Sequence, residues 1–187
     1  MPTPRSASRS IRAVALDAGK AHRQGVLEIS SLLRLPPVKV RRELVNQLKS
    51  VAKAGQISAQ DLKAMTAIVD AVTGGGTRVS KDPAGEVDVI GRELRAARGC
   101  SPYALVLAGI AADSLRQAKE TDARRRPRTG VTTRKNFAVV VGAGVADISG
   151  ALAGLLWSVS KGASASFTVD EMIRGAVFCS AVVLAVS

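Results

Sequence analysis

Residues 137–160 form an apolar run of 24 residues with one charged side chain, Asp147. At the rise of an α-helix this run extends about 36 Å, which exceeds the roughly 30 Å hydrocarbon core of a bilayer. In water, a helix that is apolar on every side must be buried on every side. Aromatic residues make up only 3% of the chain, so few large side chains are present to cover such a helix. The run therefore favours a transmembrane helix over 137–160.

The residues around this run match those that flank a membrane span. Arg134 and Lys135 precede it, and Trp157 lies near its far end, where interfacial aromatic residues belong. A second apolar stretch over about 172–187 is shorter, so we expect a helical hairpin whose last helix crosses the bilayer fully or in part. By the positive-inside rule, the cations before the run keep the N-terminal region on the cytoplasmic or equivalent interior side. The sequence thus predicts a membrane region over 136–187.

Small residues recur at every fourth position of the run and form one smooth ridge along the helix: Gly142, Ala146, Gly150 and Gly154. Such a ridge lets helix backbones approach closely in lipid, where packing drives helix association. The pattern predicts a glycine zipper through which the protein self-associates. Asp147 lies beside the ridge, and because a charge at the bilayer centre costs roughly 2.5–3.5 kcal/mol, it should face protein or water. It is either a functional group, which lines a pore, receives protons or pairs with Arg174, or a protonated packing residue.

The start of the run also resembles the fingerprint of flavin- and nicotinamide-binding proteins. Gly142 and Gly144 match the first two glycines of that motif and follow a stretch, 137–141, that is typical of a strand. The resemblance implies a nucleotide-binding βαβ unit with the pyrophosphate at a helix N-terminus. However, Asp147 stands where the motif needs glycine or alanine, and only 16 residues follow Glu171, the candidate ribose-binding acid. Too little chain remains to cover a parallel sheet, so this interpretation is a remote alternative.

Upstream of the run, apolar residues recur with the period of a helix and not with the alternation of a strand. The first predicted helix occupies residues 11–34, and the second runs from Val38 to a stop at Gly55. The third begins at a capping box formed by Ser58 and Asp61 and ends at Gly74. The fourth occupies residues 86–98, and the fifth runs from Ser101-Pro102 to about residue 122. Residues 77–85 are predicted as a loop with a turn near Asp82-Pro83. The expected fold class is all-α, with four to five helices before the C-terminal transmembrane helix or hairpin.

The excess of positive over negative charge lies in the N-terminal part of the chain. Residues 1–135 hold 25 Lys and Arg against 12 Asp and Glu, whereas residues 136–187 hold two against three. We expect a basic arm over 1–10, a basic helical region over 11–122 and a polybasic linker over 123–135. The residues predicted to bind an anionic partner are Arg41, Arg42, Arg124, Arg125, Arg126, Arg128, Arg134 and Lys135. Such clusters bind anionic lipid headgroups, at about 1 kcal/mol per residue, or nucleic-acid phosphates with little sequence preference.

The sequence contains few residue patterns that are typical of a catalytic site. His22 is the only histidine, and the two cysteines, Cys100 and Cys179, form no metal-binding or redox motif. The glycine-rich stretch at 74–81 lacks the spacing of a P-loop, and no pair of carboxylates has the pattern of an acid/base couple. The sequence therefore predicts a non-enzymatic protein without a metal ion or an organic cofactor.

Together these features predict a membrane-embedded helical protein that self-associates through the glycine zipper, while its basic region faces an anionic neighbour. That neighbour is anionic lipid, nucleic acid or acidic subunits of an assembly, and a virion-type membrane component fits this architecture. The first alternative is a pore-forming or holin-like protein whose hairpin conducts beside Asp147. The remote alternative is a nucleotide-binding protein that uses Gly142 and Gly144.

Overall fold

The computed structural model describes residues 35–76, 82–97, 100–125 and 134–186. Over these residues the chain forms six α-helices and no strand, which confirms the predicted all-α class. In chain order the helices are α1 (Pro37–Lys53), α2 (Ala59–Thr73), α3 (Pro83–Ala96), α4 (Pro102–Arg125), α5 (Arg134–Ser160) and α6 (Ala165–Val186). The predicted basic arm, the predicted helix over 11–34 and the central part of the polybasic linker, with Arg126 and Arg128, lie outside the described residues.

The start of α2 is fixed by the capping box that the sequence predicts. The Ser58 hydroxyl accepts the Asp61 amide at 3.0 Å, and the Asp61 carboxylate accepts the Ser58 amide at 3.1 Å. Asp61 also accepts the amide of Ser101, at 2.9 Å, just before α4 begins. One buried carboxylate therefore joins the first turn of α2 to the chain that enters α4. At its other end α2 stops at Gly74, whose φ of 78° lies in the left-handed region that favours glycine.

Helices α3 and α6 begin at least three residues earlier than the sequence predicts. Helix α3 starts at Pro83, in the stretch predicted as a loop, because proline is well suited to the first turn of a helix, where its missing amide is not needed. Helix α6 starts at Ala165 instead of near residue 172, after a turn that contains Gly162 with a φ of 64°. The amide of Phe167 donates to the Ser164 hydroxyl at 3.4 Å, so a serine marks this helix start. The hairpin between α5 and α6 is therefore tighter than expected.

All six helices contribute to a single hydrophobic core. The apolar stripe predicted for α1 is buried in it, and α5 packs against α4 and α6 and also contacts α1 and α2. The largest fully buried side chains are Leu44, Leu48, Met65, Ile68, Leu107, Leu115, Ile148, Leu152, Leu155 and Met172. None of these ten side chains is aromatic, although aromatic residues usually dominate burial, and Tyr103 packs against the core while only partly buried.

The middle of α5 is enclosed by protein. Residues 144–152 are buried without interruption, and Leu115 of α4 and Val72 of α2 lie against Gly144. The scarcity of aromatic residues therefore does not prevent the protein from covering the central two turns of this helix. Within the described part of the chain, no helix has both the length and the hydropathy required of a membrane span. The transmembrane assignment of 137–160 stays a prediction.

Candidate functional site

The hairpin formed by α5 and α6 carries the small residues and the acid that the sequence singles out. Gly150 and Gly154 both face α6, where the two helices make their closest contact. A Cβ atom placed on Gly150 would overlap the carbonyl group of Gly175, and one placed on Gly175 would overlap the carbonyl group of Gly150. A Cβ atom on Gly154 would lie 2.9 Å from the Met172 amide nitrogen, also too close for a real side chain. The helices thus meet backbone to backbone at these two turns.

The four residues of the predicted ridge do not share one role. Gly150 and Gly154 contact α6 of the same chain, and Ala146 is fully buried. At Gly142, no described atom lies within 4 Å of the position that a Cβ atom would occupy. Self-association through the ridge stays a prediction, and Gly142 is the ridge position that no described atom approaches. Sequence reasoning missed Gly175 as the partner of Gly150, although Gly175 and Cys179 repeat the same four-residue spacing of small residues.

Gly144 also packs closely, in a direction that the ridge pattern does not reveal. A Cβ atom at Gly144 would lie 3.1 Å from both Leu115 Cδ2 and Val72 Cγ1, so the absence of a side chain lets α5 approach α4 and α2. The nucleotide-binding interpretation instead requires a strand over 137–141 and a turn at the glycines. Both predictions are wrong because residues 137–144 lie inside α5. Gly144 therefore serves helix packing, whereas Gly142 has no described neighbour within 4 Å of its Cβ position.

Asp147 is 5% exposed and lies at the contact between α5 and α4. The Ser114 hydroxyl of α4 hydrogen-bonds its carboxyl group and also lies 2.8 Å from the Ile110 carbonyl oxygen. Asp147 therefore faces protein, at the contact between the two helices.

Arg174, which the sequence offers as one possible partner of Asp147, pairs with another acid, Glu171. Arg174 Nη1 donates to Glu171 Oε1 at 2.9 Å, three residues earlier on α6, and its side chain is exposed. Since residues three apart lie on the same helix face, this local pair forms without any contribution from α5.

Hydroxyl groups inside the hairpin are satisfied by their own helices. Ser149 donates to the Val145 carbonyl at 2.7 Å, Ser158 to Gly154 at 2.8 Å, and Thr168 to Ser164 at 2.9 Å. Such bonds to the preceding turn remove the need for water or a partner at these groups. These three hydroxyl groups therefore need no partner outside their own helix or the turn before it.

The closed end of the hairpin exposes two aromatic side chains. Trp157 of α5 is 50% exposed and Phe167 of α6 is 41% exposed, with ring centroids 6.0 Å apart. Between them, the connecting turn carries the exposed Lys161. Farther along α6, Ile173 and Val177 are also exposed. We call Trp157, Phe167 and Lys161 the hairpin tip.

The structure assigns different surroundings to the two predicted cations of α1. Arg41 forms a two-point ion pair with Asp70 of α2, with Nε 2.6 Å and Nη2 3.1 Å from the carboxylate oxygens. The hydrogen bond to Asp70 raises the pKa of Arg41, whose guanidinium group is thus held by an ion pair within the protein. Arg42 is exposed and lies 3.9 Å from Glu43. The side chains of the remaining predicted cations, at 124–128 and 134–135, lie outside the described residues.

Comparison with known proteins finds no relative of this chain. No protein-family model, no curated protein and no solved structure matches this chain.

Proposed function

We propose that this protein attaches to membranes through its hairpin tip and acts there as a non-enzymatic helical structural protein. The observation that carries this proposal is the exposed pair of Trp157 and Phe167 beside Lys161. Aromatic rings are favoured at the level of the lipid headgroups, and a lysine can extend its ammonium group to water while its methylene groups stay in lipid. The tip thus has the chemistry of a segment that enters a bilayer interface.

The rest of the hairpin supports the same proposal. Of the six large apolar side chains exposed among the described residues, four lie on the hairpin: Trp157, Phe167, Ile173 and Val177. Its inner hydroxyl groups are satisfied without water, which is a requirement for any segment that leaves the aqueous phase. The chain from residue 136 onward has a net charge close to zero, so it can approach lipid at little electrostatic cost.

The orientation of the attached protein follows from its charge. The excess of Lys and Arg lies before residue 136, so the proposal places the basic helical region on the cytoplasmic or equivalent interior side. There it faces an anionic partner. A pore lined by Asp147 is less well supported, because this residue is 5% exposed and hydrogen-bonded to Ser114.

Vesicle flotation tests the attachment. The variant with Trp157→Ser and Phe167→Ser should bind phosphatidylcholine vesicles about 30-fold more weakly than the unchanged protein, from roughly 1 kcal/mol for each half-exposed ring that loses its lipid contact. Phosphatidylcholine has no net charge, so binding by the basic region does not contribute to the measurement.

A matched control changes two exposed valines outside the hairpin, Val38→Ser on α1 and Val89→Ser on α3. This variant should float with the vesicles as the unchanged protein does. Equal flotation of the tip variant and the valine variant, or failure of the unchanged protein to float, would contradict attachment through the tip.

A further inference from the structure

One face of α1 presents a row of cations to solvent. Lys39, Arg42, Lys49 and Lys53 are all exposed, with the exposed polar residues Asn46 and Ser50 between them. At 3.6 residues per turn, the four cations fall within about 80° of the helix circumference and extend over about 21 Å of its length. We call these four residues the α1 cationic row.

The α1 cationic row is not used to stabilise the fold. The opposite face of α1 is buried in the core through Val40, Leu44, Leu48 and Val51. Arg41, next to the row, forms a close ion pair with Asp70. Within the row, Arg42 makes only a loose contact with Glu43, at 3.9 Å. On α3 and α4, by contrast, acids lie among the cations, as in the pair of Arg116 with Asp88. Positive charge on α1 is thus concentrated on a face that the described residues do not cover.

We infer that the α1 cationic row binds the phosphate backbone of duplex DNA without sequence preference. In duplex DNA each strand places one phosphate about every 3.4 Å along the axis, so the length of the row corresponds to about six base-pair steps of the duplex. Lysine and arginine neutralise such phosphates, and residues of the Asn and Ser type donate further hydrogen bonds to them. The inference names the anionic partner of the basic region, and it rests on the proposed function only for where that partner lies.

Two other anionic partners fit the row less well. A helix that binds a membrane surface buries its apolar face in the lipid, but the apolar face of α1 lies in the protein core. Proteins that bind single-stranded nucleic acid stack bases on aromatic side chains, and α1 contains none. A duplex, which offers regularly spaced charge and no exposed bases, therefore matches the row best.

Fluorescence anisotropy with a labelled DNA duplex tests this inference, using the full chain in mild detergent over a series of salt concentrations. The variant with Lys49→Gln and Lys53→Gln should lower the slope of log K against log salt by about 1.8, since each neutralised phosphate contributes about 0.9. Its affinity at about 0.1 M salt should fall more than tenfold. Two duplexes of different base composition should bind with equal affinity.

The matched control removes the same charge elsewhere, by Arg92→Gln and Arg95→Gln on the exposed side of α3. This variant should keep the slope of the unchanged protein. Equal loss in both variants would overturn the inference, because net charge and not the row would then set the affinity. Loss of binding to anionic vesicles but not to DNA in the α1 variant would also overturn it, in favour of lipid. The hairpin-tip variant should still bind DNA, so failure of membrane attachment and failure of DNA binding are separate results.

Discussion

Replacing Gly150 by alanine should destabilise the protein by about 3 kcal/mol, the upper end of the cost of forcing an extra group into a packed interior. The added methyl group would meet the carbonyl group of Gly175 and the sulfur atom of Cys179 on α6. A backbone carbonyl cannot rotate away as a side chain can, so the two helices must separate to make room. Chemical unfolding followed by circular dichroism, in mild detergent, measures the change in the free energy of unfolding.

Gly142→Ala is the control, because it makes the same substitution in the same helix. No described atom lies within 4 Å of the added methyl group, and alanine stabilises a helix by up to about 1 kcal/mol relative to glycine. The two variants should therefore move the unfolding midpoint in opposite directions. If Gly150→Ala is as stable as Gly142→Ala, the close crossing of α5 and α6 does not exist in solution.

Asp61→Ala should also cost about 3 kcal/mol, from the lost helix cap together with a lost charge-assisted hydrogen bond. Asp61 is 1% exposed and accepts hydrogen bonds from the Ser58 amide, the Ser58 hydroxyl and the Ser101 amide. Without the carboxylate, these donors lose their acceptor at the junction of α2 and α4. The control is Asp113→Ala, an exposed acid on α4 bonded to Gln117, which should change the stability by less than about 0.5 kcal/mol.

The stabilisation of the fold by Asp61 should be lost as the pH falls. Burial alone would raise the pKa of this carboxyl group, but the hydrogen bonds from Ser58 and Ser101 outweigh burial and hold the pKa below its ordinary value. A lowered native pKa means that the stabilisation is fully present above the unfolded-state value of about 3.9 and is lost as the pH falls through the native value. The stability difference between the unchanged protein and Asp61→Ala should thus shrink below about pH 4. A difference that grows on acidification would contradict this assignment.

The parts of the fold that the sequence predicts well are those set by neighbouring residues. The α1 stripe and the Ser58–Asp61 capping box depend on spacing within one helix, and both are present. The starts of α3 and α6 were missed because Pro83 and Ser164 are equally typical of turns and of first helical turns. Pro83 is buried and Phe167 packs near Trp157, so contacts with distant residues favour the helical alternative.

The candidate site shows the same division between local and distant information. A four-residue repeat of small side chains reveals that α5 has a smooth face, but not which helix lies against it. Gly175 is 25 residues from Gly150, and Ser114 is 33 residues from Asp147, so their contacts depend on how the helices pack. The exposed hairpin tip required the structure as well, because only the tight turn after α5 brings Phe167 next to Trp157.

Trp157 provides the most direct test of membrane attachment, because it is the only tryptophan of the chain and lies half-exposed at the hairpin tip. Its fluorescence can be recorded as phosphatidylcholine vesicles are added to the full chain. If the tip enters the bilayer interface, the emission should shift to shorter wavelength and acrylamide should quench it less. Unchanged emission and unchanged quenching in the folded protein, at lipid concentrations where vesicles are in large excess, would contradict the proposed attachment.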